Sequence, residues 1–347
     1  MSSLGLDYLS SGRKSSEREG YVQHVSNAVK NAIRMFTPSA RPHILLRMLN
    51  RCSCLLLVLF LAAGAGAQAL EPRFYSNAPK GMNFSIVGYV YSEGALSFAP
   101  ALGLENAELS VQSAVLAYAR SGSLFGKSAK VDVAVPYAFM SGSATADGAP
   151  VSREVDGFAD PQFRGSVNFI GAPALTLEEF RDYQQNFVMG ASLKMTAPAG
   201  QYDDDKLINV GMNRWSFAPE VGMSKTFGPL ILEVAGAVTL YTDNDDFLGT
   251  TLEQAPLYSA QGHAVYTFPR GIWLALNATY YTGGRTTVGG VVKDNLQRNS
   301  RIGATLAFPI TKLHSLKLYA SSGVSTRTGS DFNTFGAAWQ YRWGGGL

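Results

Sequence analysis

The sequence predicts an all-β fold: a single transmembrane antiparallel β-barrel of about twelve strands, with short periplasmic turns and longer extracellular loops. Three observations carry this. The first is the stretch Phe335–Trp343, where Trp339, Tyr341 and Trp343 alternate with Ala338, Gln340 and Arg342. A strand alternates faces with a period of two, so one face is aromatic and the other is polar. Membrane barrels turn the aromatic face to lipid and the polar face to a wet lumen. The second is the series of similar alternating stretches from Leu70 onward, each near the 9–11 residues a tilted membrane strand needs. The third is an export signal ahead of them.

That signal is the apolar run Leu55–Ala63, preceded by Arg47 and Arg51 and followed by small residues ending Ala67-Gln68-Ala69. A basic region, a short apolar region and an A-x-A site make a secretory signal peptide. The run falls short of the roughly 20 apolar residues of a spanning helix. Residues 48–69 are read as the signal peptide, cleaved after Ala69, and 70–347 as the barrel. Residues 1–47 read as an upstream extension without assigned function, with an extended basic region of the signal as the alternative. Cys52 and Cys54 both precede the cut, so the mature chain would hold no cysteine. This excludes disulfides, Cys-ligated zinc and thiol catalysis. Setting aside the leader's 8 basic and 3 acidic residues leaves 21 basic against 23 acidic, a net of −2. Nothing in that balance points to nucleic acid.

The expected strands are Met82–Ser92, Glu108–Arg120, Ala129–Ser141, Pro161–Ile170, Asn186–Ala197 and Arg214–Thr226, followed by Leu230–Thr242, Leu257–Phe268, Ile272–Gly283, Gln297–Phe308, Ser315–Thr326 and Phe332–Trp343. Their connections alternate. Phe227-Gly228-Pro229, Pro269-Arg270-Gly271 and Pro309 to His314 are short. Glu93–Ala107, Gly142–Asp160, Pro198–Asn213, Asp243–Pro256 and Gly284–Leu296 are longer and read as loops. On the short side, Gly171–Gln185 is the exception. Thr176 with Glu179 three residues on forms a capping box, which predicts a brief helix over Leu177–Tyr183.

Parity assigns the faces. In Ile272–Gly283, Leu274, Leu276, Ala278 and Tyr280 oppose Trp273, Ala275, Asn277 and Thr279. In Leu230–Thr242, Leu232, Val234 and Leu240 oppose Glu233, Ala235 and Thr239. Asp132, Arg164, Lys194, Arg214, Glu220, Glu233, His263, Arg301, Lys317 and Arg342 all take the inner side of their strands. A single Lys or Arg on the lipid face at mid-membrane costs roughly 2–4 kcal/mol. The whole set there would exceed a net stability of roughly 5–15 kcal/mol. A soluble sandwich with a solvated outer face meets this test too, but the export signal and the aromatics near strand ends weigh against it.

Several runs resemble a known family: LEPRFYSNAPKGMNF after the cleavage site, DPQFRGSVNF at 160–169, INVGMNRWSFAPEVG at 208–222, TDNDDFLG at 242–249 and LQRNSRIGATLAFP at 296–309. They are similar to outer-membrane proteins associated with the meta-pathway of phenol degradation. The resemblance covers essentially the whole mature chain. It implies an outer-membrane barrel of a Gram-negative bacterium, passing small aromatic or hydrophobic compounds by passive diffusion without a cofactor. Lipid and lipopolysaccharide around it, and a barrel-assembly machinery, are the partners it implies. Gly344–Leu347 extends past the terminal aromatic on which such barrels end.

The inward residues are the candidate lumen lining. Arg164, Lys194, Arg214, Arg301, Lys317 and Arg342 are basic; Asp132, Glu220 and Glu233 are acidic; Gln261, His263, Trp273, Asn277 and Gln340 complete the set. Two readings stand side by side. The charges either line a pore with a positive bias, suited to anionic or polarisable solutes, or pair with one another across a closed barrel. Eight strands are just filled by side chains and sixteen leave a channel, so about twelve decides neither. Trp273 either stacks an aromatic solute or plugs the lumen. A lipid hydrolase is a third reading, but no nucleophile-elbow motif accompanies His263 and His314, the two histidines after Leu70. Asp203-Asp204-Asp205 and the Asp243–Asp246 run lack the Gly and Glu spacing of a calcium loop. They read as solvated acidic loops, and no metal site is assigned.

Overall fold

The computed structural model describes residues 71–97, 104–146 and 148–347. The expected signal peptide and the upstream extension lie outside the described residues. The strands are β1 (Met82–Ser97), β2 (Leu104–Leu124), β3 (Lys127–Ala146), β4 (Ala149–Phe158), β5 (Gln162–Ile170), β6 (Phe187–Thr196), β7 (Ser216–Phe227), β8 (Leu230–Tyr241), β9 (Asn244–Phe247), β10 (Thr250–Gln254), β11 (Leu257–Thr267), β12 (Trp273–Gly283), β13 (Thr286–Val288), β14 (Val291–Val292), β15 (Gln297–Pro309), β16 (His314–Ser325) and β17 (Gly329–Gly344). Twelve of them close a ring in the order β1-β2-β3-β5-β6-β7-β8-β11-β12-β15-β16-β17, and β17 pairs back on β1. Every pairing is antiparallel, with Val87 opposite Trp339 at the closure. Closure leaves none of these twelve strands at an open edge of the ring, the condition for strands to cross a bilayer.

The barrel strands fall where the alternation puts them, and β8 differs from its expected span by one residue. The differences lie at the long-loop end. β2 and β3 run 21 and 20 residues, well past the bilayer. The stretch 142–160, read as a loop, instead continues β3 and returns as β4, paired from Ala146↔Ala149 to Tyr137↔Phe158. The two loops at 243–256 and 284–296 carry β9, β10, β13 and β14, a four-stranded sheet of their own. Outside lipid a hairpin has no apolar face to keep, so its alternation is absent from the sequence while its backbone pairing persists. At the other end the turns are tight. Phe125 and Gly126 both take positive φ, 50° and 75°, the geometry of the hairpin turn that matches strand twist. The capping box closes as expected: Glu179 N donates to Thr176 Oγ1 at 3.3 Å and Thr176 N to Glu179 Oε2 at 2.7 Å. The helix is a single turn, Leu177–Phe180, shorter than the expected Leu177–Tyr183.

The outer surface carries Val87, Leu116, Val131, Leu232, Val234, Leu276, Ile302 and Phe335, all exposed. A large exposed apolar band marks a surface made for lipid. Aromatics gather near strand ends. His314, Trp339, Tyr341 and Trp343 form a stacked row with centroid separations of 5.0–5.4 Å. Tyr266 meets Phe268 edge-on at 4.8 Å, and Trp215 stacks on Phe217. These are the girdles expected at both interfaces.

On the inner wall, large rings lie across glycines of the neighbouring strand. Tyr319 covers Gly336, its register partner, so closely that a Cβ there would overlap the ring. Gly336→Val is therefore expected to lower stability by about 1–3 kcal/mol, the usual cost of overpacking. Urea-dependent unfolding from detergent or vesicles would measure it.

Candidate functional site: a lumen crossed by its own N-terminal segment

Most of the candidate residues lie on the buried side of their strands. Glu233, His263, Asn277 and Arg301 are buried inside the barrel, and Asp132, Arg164, Lys194, Glu220, Gln261, Trp273 and Lys317 are half-buried there. His263 Nδ1 and Asn277 Oδ1 lie 2.8 Å apart, and Asn277 Nδ2 donates to Thr305 Oγ1 at 3.1 Å, a polar row across β11, β12 and β15. Below it, toward the short turns, Ile231, Val265, Ala275 and Trp273 form an apolar cluster inside the wall. Near the long loops, the buried Arg214 lies over the Tyr241 ring at 4.8 Å and donates to Gln254. Arg301 Nη2 donates to Ser321 Oγ at 3.3 Å and to the Phe332 carbonyl at 3.1 Å. Gln340 faces inward opposite Ile86. Arg342 sits at the short-turn rim, where its Nε donates to the Lys312 carbonyl at 2.8 Å; it ties a turn to the wall and stands apart from the charged cluster.

The lumen is not empty between these walls. Residues 71–80, which pair with no strand, enter the barrel from the short-turn end. Glu71 Oε2 accepts from Arg164 Nη1 on β5 at 2.6 Å, while Arg164 Nε donates to Asp132 at 3.1 Å. The Arg73 backbone N–H donates to Glu233 Oε2 on β8 at 2.6 Å, and its guanidinium lies over Trp273 of β12 at 5.6 Å. Lys130 of β3 donates to the Phe74 carbonyl. Tyr75 Oη donates to Glu220 Oε1 on β7 at 2.9 Å, and Gln261 holds the other oxygen of Glu220 at 3.0 Å. In the ring order, β3 and β12 are six strands apart in either direction. The segment therefore crosses the full width of the barrel.

Its seat is built into the wall. Gly190 of β6 and Gly222 of β7 are register partners, and a Cβ on either would collide with the Tyr75 ring. The two glycines form a slot that receives a buried tyrosine. Tyr75 then packs with Ala172 and Val188, with Phe74 and Ala235 against them. Nearer the rim, Asn168 Nδ2 donates to the Tyr75 carbonyl at 2.9 Å, and Asn77 is held by Gln185 and the Pro173 carbonyl. The Lys80 N–H reaches the Leu175 carbonyl at 2.7 Å, and the chain then enters β1.

Electrostatically, Glu71 is the partner of a basic group of wall residues. Arg164 is bonded to it, and Lys194, the register partner of Arg164, and Lys317 lie nearby. The Arg164 guanidinium also covers the Phe74 ring at 3.9 Å, with Lys130 Nζ 4.6 Å from the same ring. Cations over an aromatic face are attracted by its quadrupole. Neither sequence reading of the inner charges describes this. They do not simply line a pore or simply pair wall to wall; the cluster around Arg164 takes its second carboxylate from a segment outside the strands. Lys130 is inward by parity beside Asp132 and belongs to the same group, and it was not among the candidates. The inward glycine pair was the one legible sign of a ring that fills the gap.

The acidic loops are solvated as expected, with Asp204, Asp205, Asp243, Asp245 and Asp246 exposed, and they are also tied down at two points. Asp203 lies 3.7 Å from Arg153. Within the Asp243–Asp246 run, Asn244 is buried and donates to Tyr202 Oη at 2.8 Å and to the Met212 carbonyl at 3.3 Å.

Comparison with known proteins follows this architecture. The crystal structure of the COG4313 outer membrane channel from Pseudomonas putida F1 superposes with a TM-score of 0.67 at 20% identity, over 79% of this chain and 100% of that one. The transport unit of the autotransporter AIDA-I from Escherichia coli gives 0.46 at 10% identity, over 82% and 96%. At these identities the likeness to the channel shows the outer-membrane barrel fold. No curated protein matches the chain. A family profile matches residues 94–342, most of the barrel. The chain therefore belongs to the family described as putative MetA-pathway of phenol degradation.

Proposed function

We propose that this protein is an outer-membrane channel that admits small hydrophobic or aromatic compounds by passive diffusion, and that residues 71–80 close it at rest. The crossing of the lumen from Lys130 on one wall to Trp273 on the other carries this reading. The segment is held by side-chain contacts and isolated backbone bonds, with no strand pairing, so it can withdraw while the ring of strands stays closed. Its departure would uncover a lumen wide enough to need a plug. Support for an aromatic solute comes from the family description and from the rings of Phe74, Tyr75 and Trp273 at the constriction. Diffusion down a gradient calls on no cofactor. The mature chain would reach the outer membrane through its export signal and the barrel-assembly machinery, with its long loops meeting lipopolysaccharide.

Planar-bilayer recording tests it. With Cys52 and Cys54 removed by cleavage, Tyr75→Cys and Gly222→Cys introduce the two thiols of the mature chain. A short bis-methanethiosulfonate, which forms a disulfide to each thiol with loss of sulfinate, is expected to silence the barrel when it bridges them, while the same double variant left unbridged conducts. No conductance with the segment free would favour a closed structural barrel. Equal conductance with and without the bridge would show that the segment is no gate.

A further inference from the structure

We propose that the Arg164 site is a binding site for the carboxylate of an aromatic solute, and that Glu71 with Phe74 is its built-in stand-in, displaced when that solute binds. The inference rests on the channel reading and specifies its ligand. The charge inventory of the wall motivates it. Arg164, Lys130, Lys194 and Lys317 face this part of the lumen, and Asp132 is the wall carboxylate bonded to Arg164. Glu220 is engaged by Tyr75 and Gln261, and Glu233 by the Arg73 N–H. Withdrawal of the segment takes Glu71 from Arg164 and frees Glu220 and Glu233 of the Tyr75 hydroxyl and the Arg73 N–H, so four wall cations face three wall carboxylates and Arg164 lacks its second partner. Charges removed from water and left unpaired are costly. A neutral solute cannot relieve this, because a ligand shifts an equilibrium only by its differential affinity for the two states. An anion that replaces Glu71 restores the pair and makes the open state accessible.

The site also selects the rest of the ligand. The Arg164 guanidinium lies over the Phe74 ring at 3.9 Å and Lys130 Nζ over it at 4.6 Å. Glu71 and Phe74 thus present a carboxylate and an aromatic ring to one cationic surface. A benzoate-class molecule carries both groups in one rigid body. Arg164 uses Nη1 for Glu71 and Nε for Asp132, so its Glu71-facing edge becomes free when the segment leaves, while Asp132 holds the guanidinium in place.

The test follows the segment directly. Ser76→Cys places a thiol on it, and reaction with a charged thiol reagent in detergent or vesicles reports its release. Benzoate is expected to accelerate labelling at least severalfold, with saturation. Phenol and cyclohexanol at the same concentration are expected to leave the rate unchanged, and acetate to act only weakly. In Lys194→Met with Lys317→Met, and in Arg164→Met where it folds, the benzoate response is expected to vanish. Glu71→Gln is expected to raise the basal labelling rate, and Glu71→Asp to restore it. Equal acceleration by phenol, or none by benzoate, overturns the proposal. Equal acceleration by acetate overturns its aromatic part. A benzoate response in a barrel that never conducts leaves the anion site standing and removes the channel; conductance without a benzoate response does the reverse.

Discussion

Gly222→Leu will drive the Tyr75 ring from its slot and leave the barrel open. The Gly222 Cα faces the ring with no room for a Cβ, and Gly190 closes the slot from the neighbouring strand. A leucine side chain there must displace Tyr75, because the β6–β7 backbone is fixed by pairing on both sides. Overpacking of this kind costs about 1–3 kcal/mol, and the cost falls on the seated state alone. At about 1.4 kcal/mol per factor of ten, the seated-to-withdrawn ratio drops by about fivefold to about a hundredfold. Bilayer conductance should rise accordingly, and a Ser76→Cys probe should label faster by a similar factor. Unfolding in urea should change little, since the ring of strands is untouched. Gly165→Leu is the control. Gly165 faces outward on β5 with open space around its Cα, so neither conductance nor labelling should move.

Ile302→Arg is expected to cause the largest loss of stability. Arg301 and Ile302 are neighbours near the middle of β15, yet Arg301 is buried in the lumen and Ile302 is exposed on the outer face. An arginine at 302 would stand in hydrocarbon near mid-membrane, at a cost of roughly 2–4 kcal/mol. That is a large share of a net stability of roughly 5–15 kcal/mol. Refolding into lipid vesicles, read by urea titration and by the heat-dependent gel shift of folded barrels, should show the loss. The same titration in detergent, where the outer face meets hydrated headgroups more readily, should show less of it. Equal stability of Ile302→Arg and the parent in vesicles would mean that this face does not meet lipid.

What the sequence alone determined was the barrel: twelve strands, their faces, the short-turn and long-loop ends and the girdles. All of these follow from a rule local to each strand. Lipid on one side and water on the other impose a period of two, and that period is written residue by residue in most strands up to Trp343; in Met82–Ser92 and Glu108–Arg120 both faces are largely apolar and the sequence leaves the sides open. The capping box at Thr176 and Glu179 is local in the same way. The strands beyond the bilayer, β4, β9, β10, β13 and β14, were read as loops because both their faces meet water and no alternation records their pairing. The candidate lumen residues were likewise found by parity, but parity says only which way a side chain points. Only the tertiary structure decided what it points at. Glu71 meets Arg164 across 93 positions of chain, and the Arg73 N–H meets Glu233 across 160. No spacing rule connects residues so far apart; closing the ring of strands brings them to one level. The segment 71–80 has neither strand period nor helix period, because each of its residues answers to a different wall.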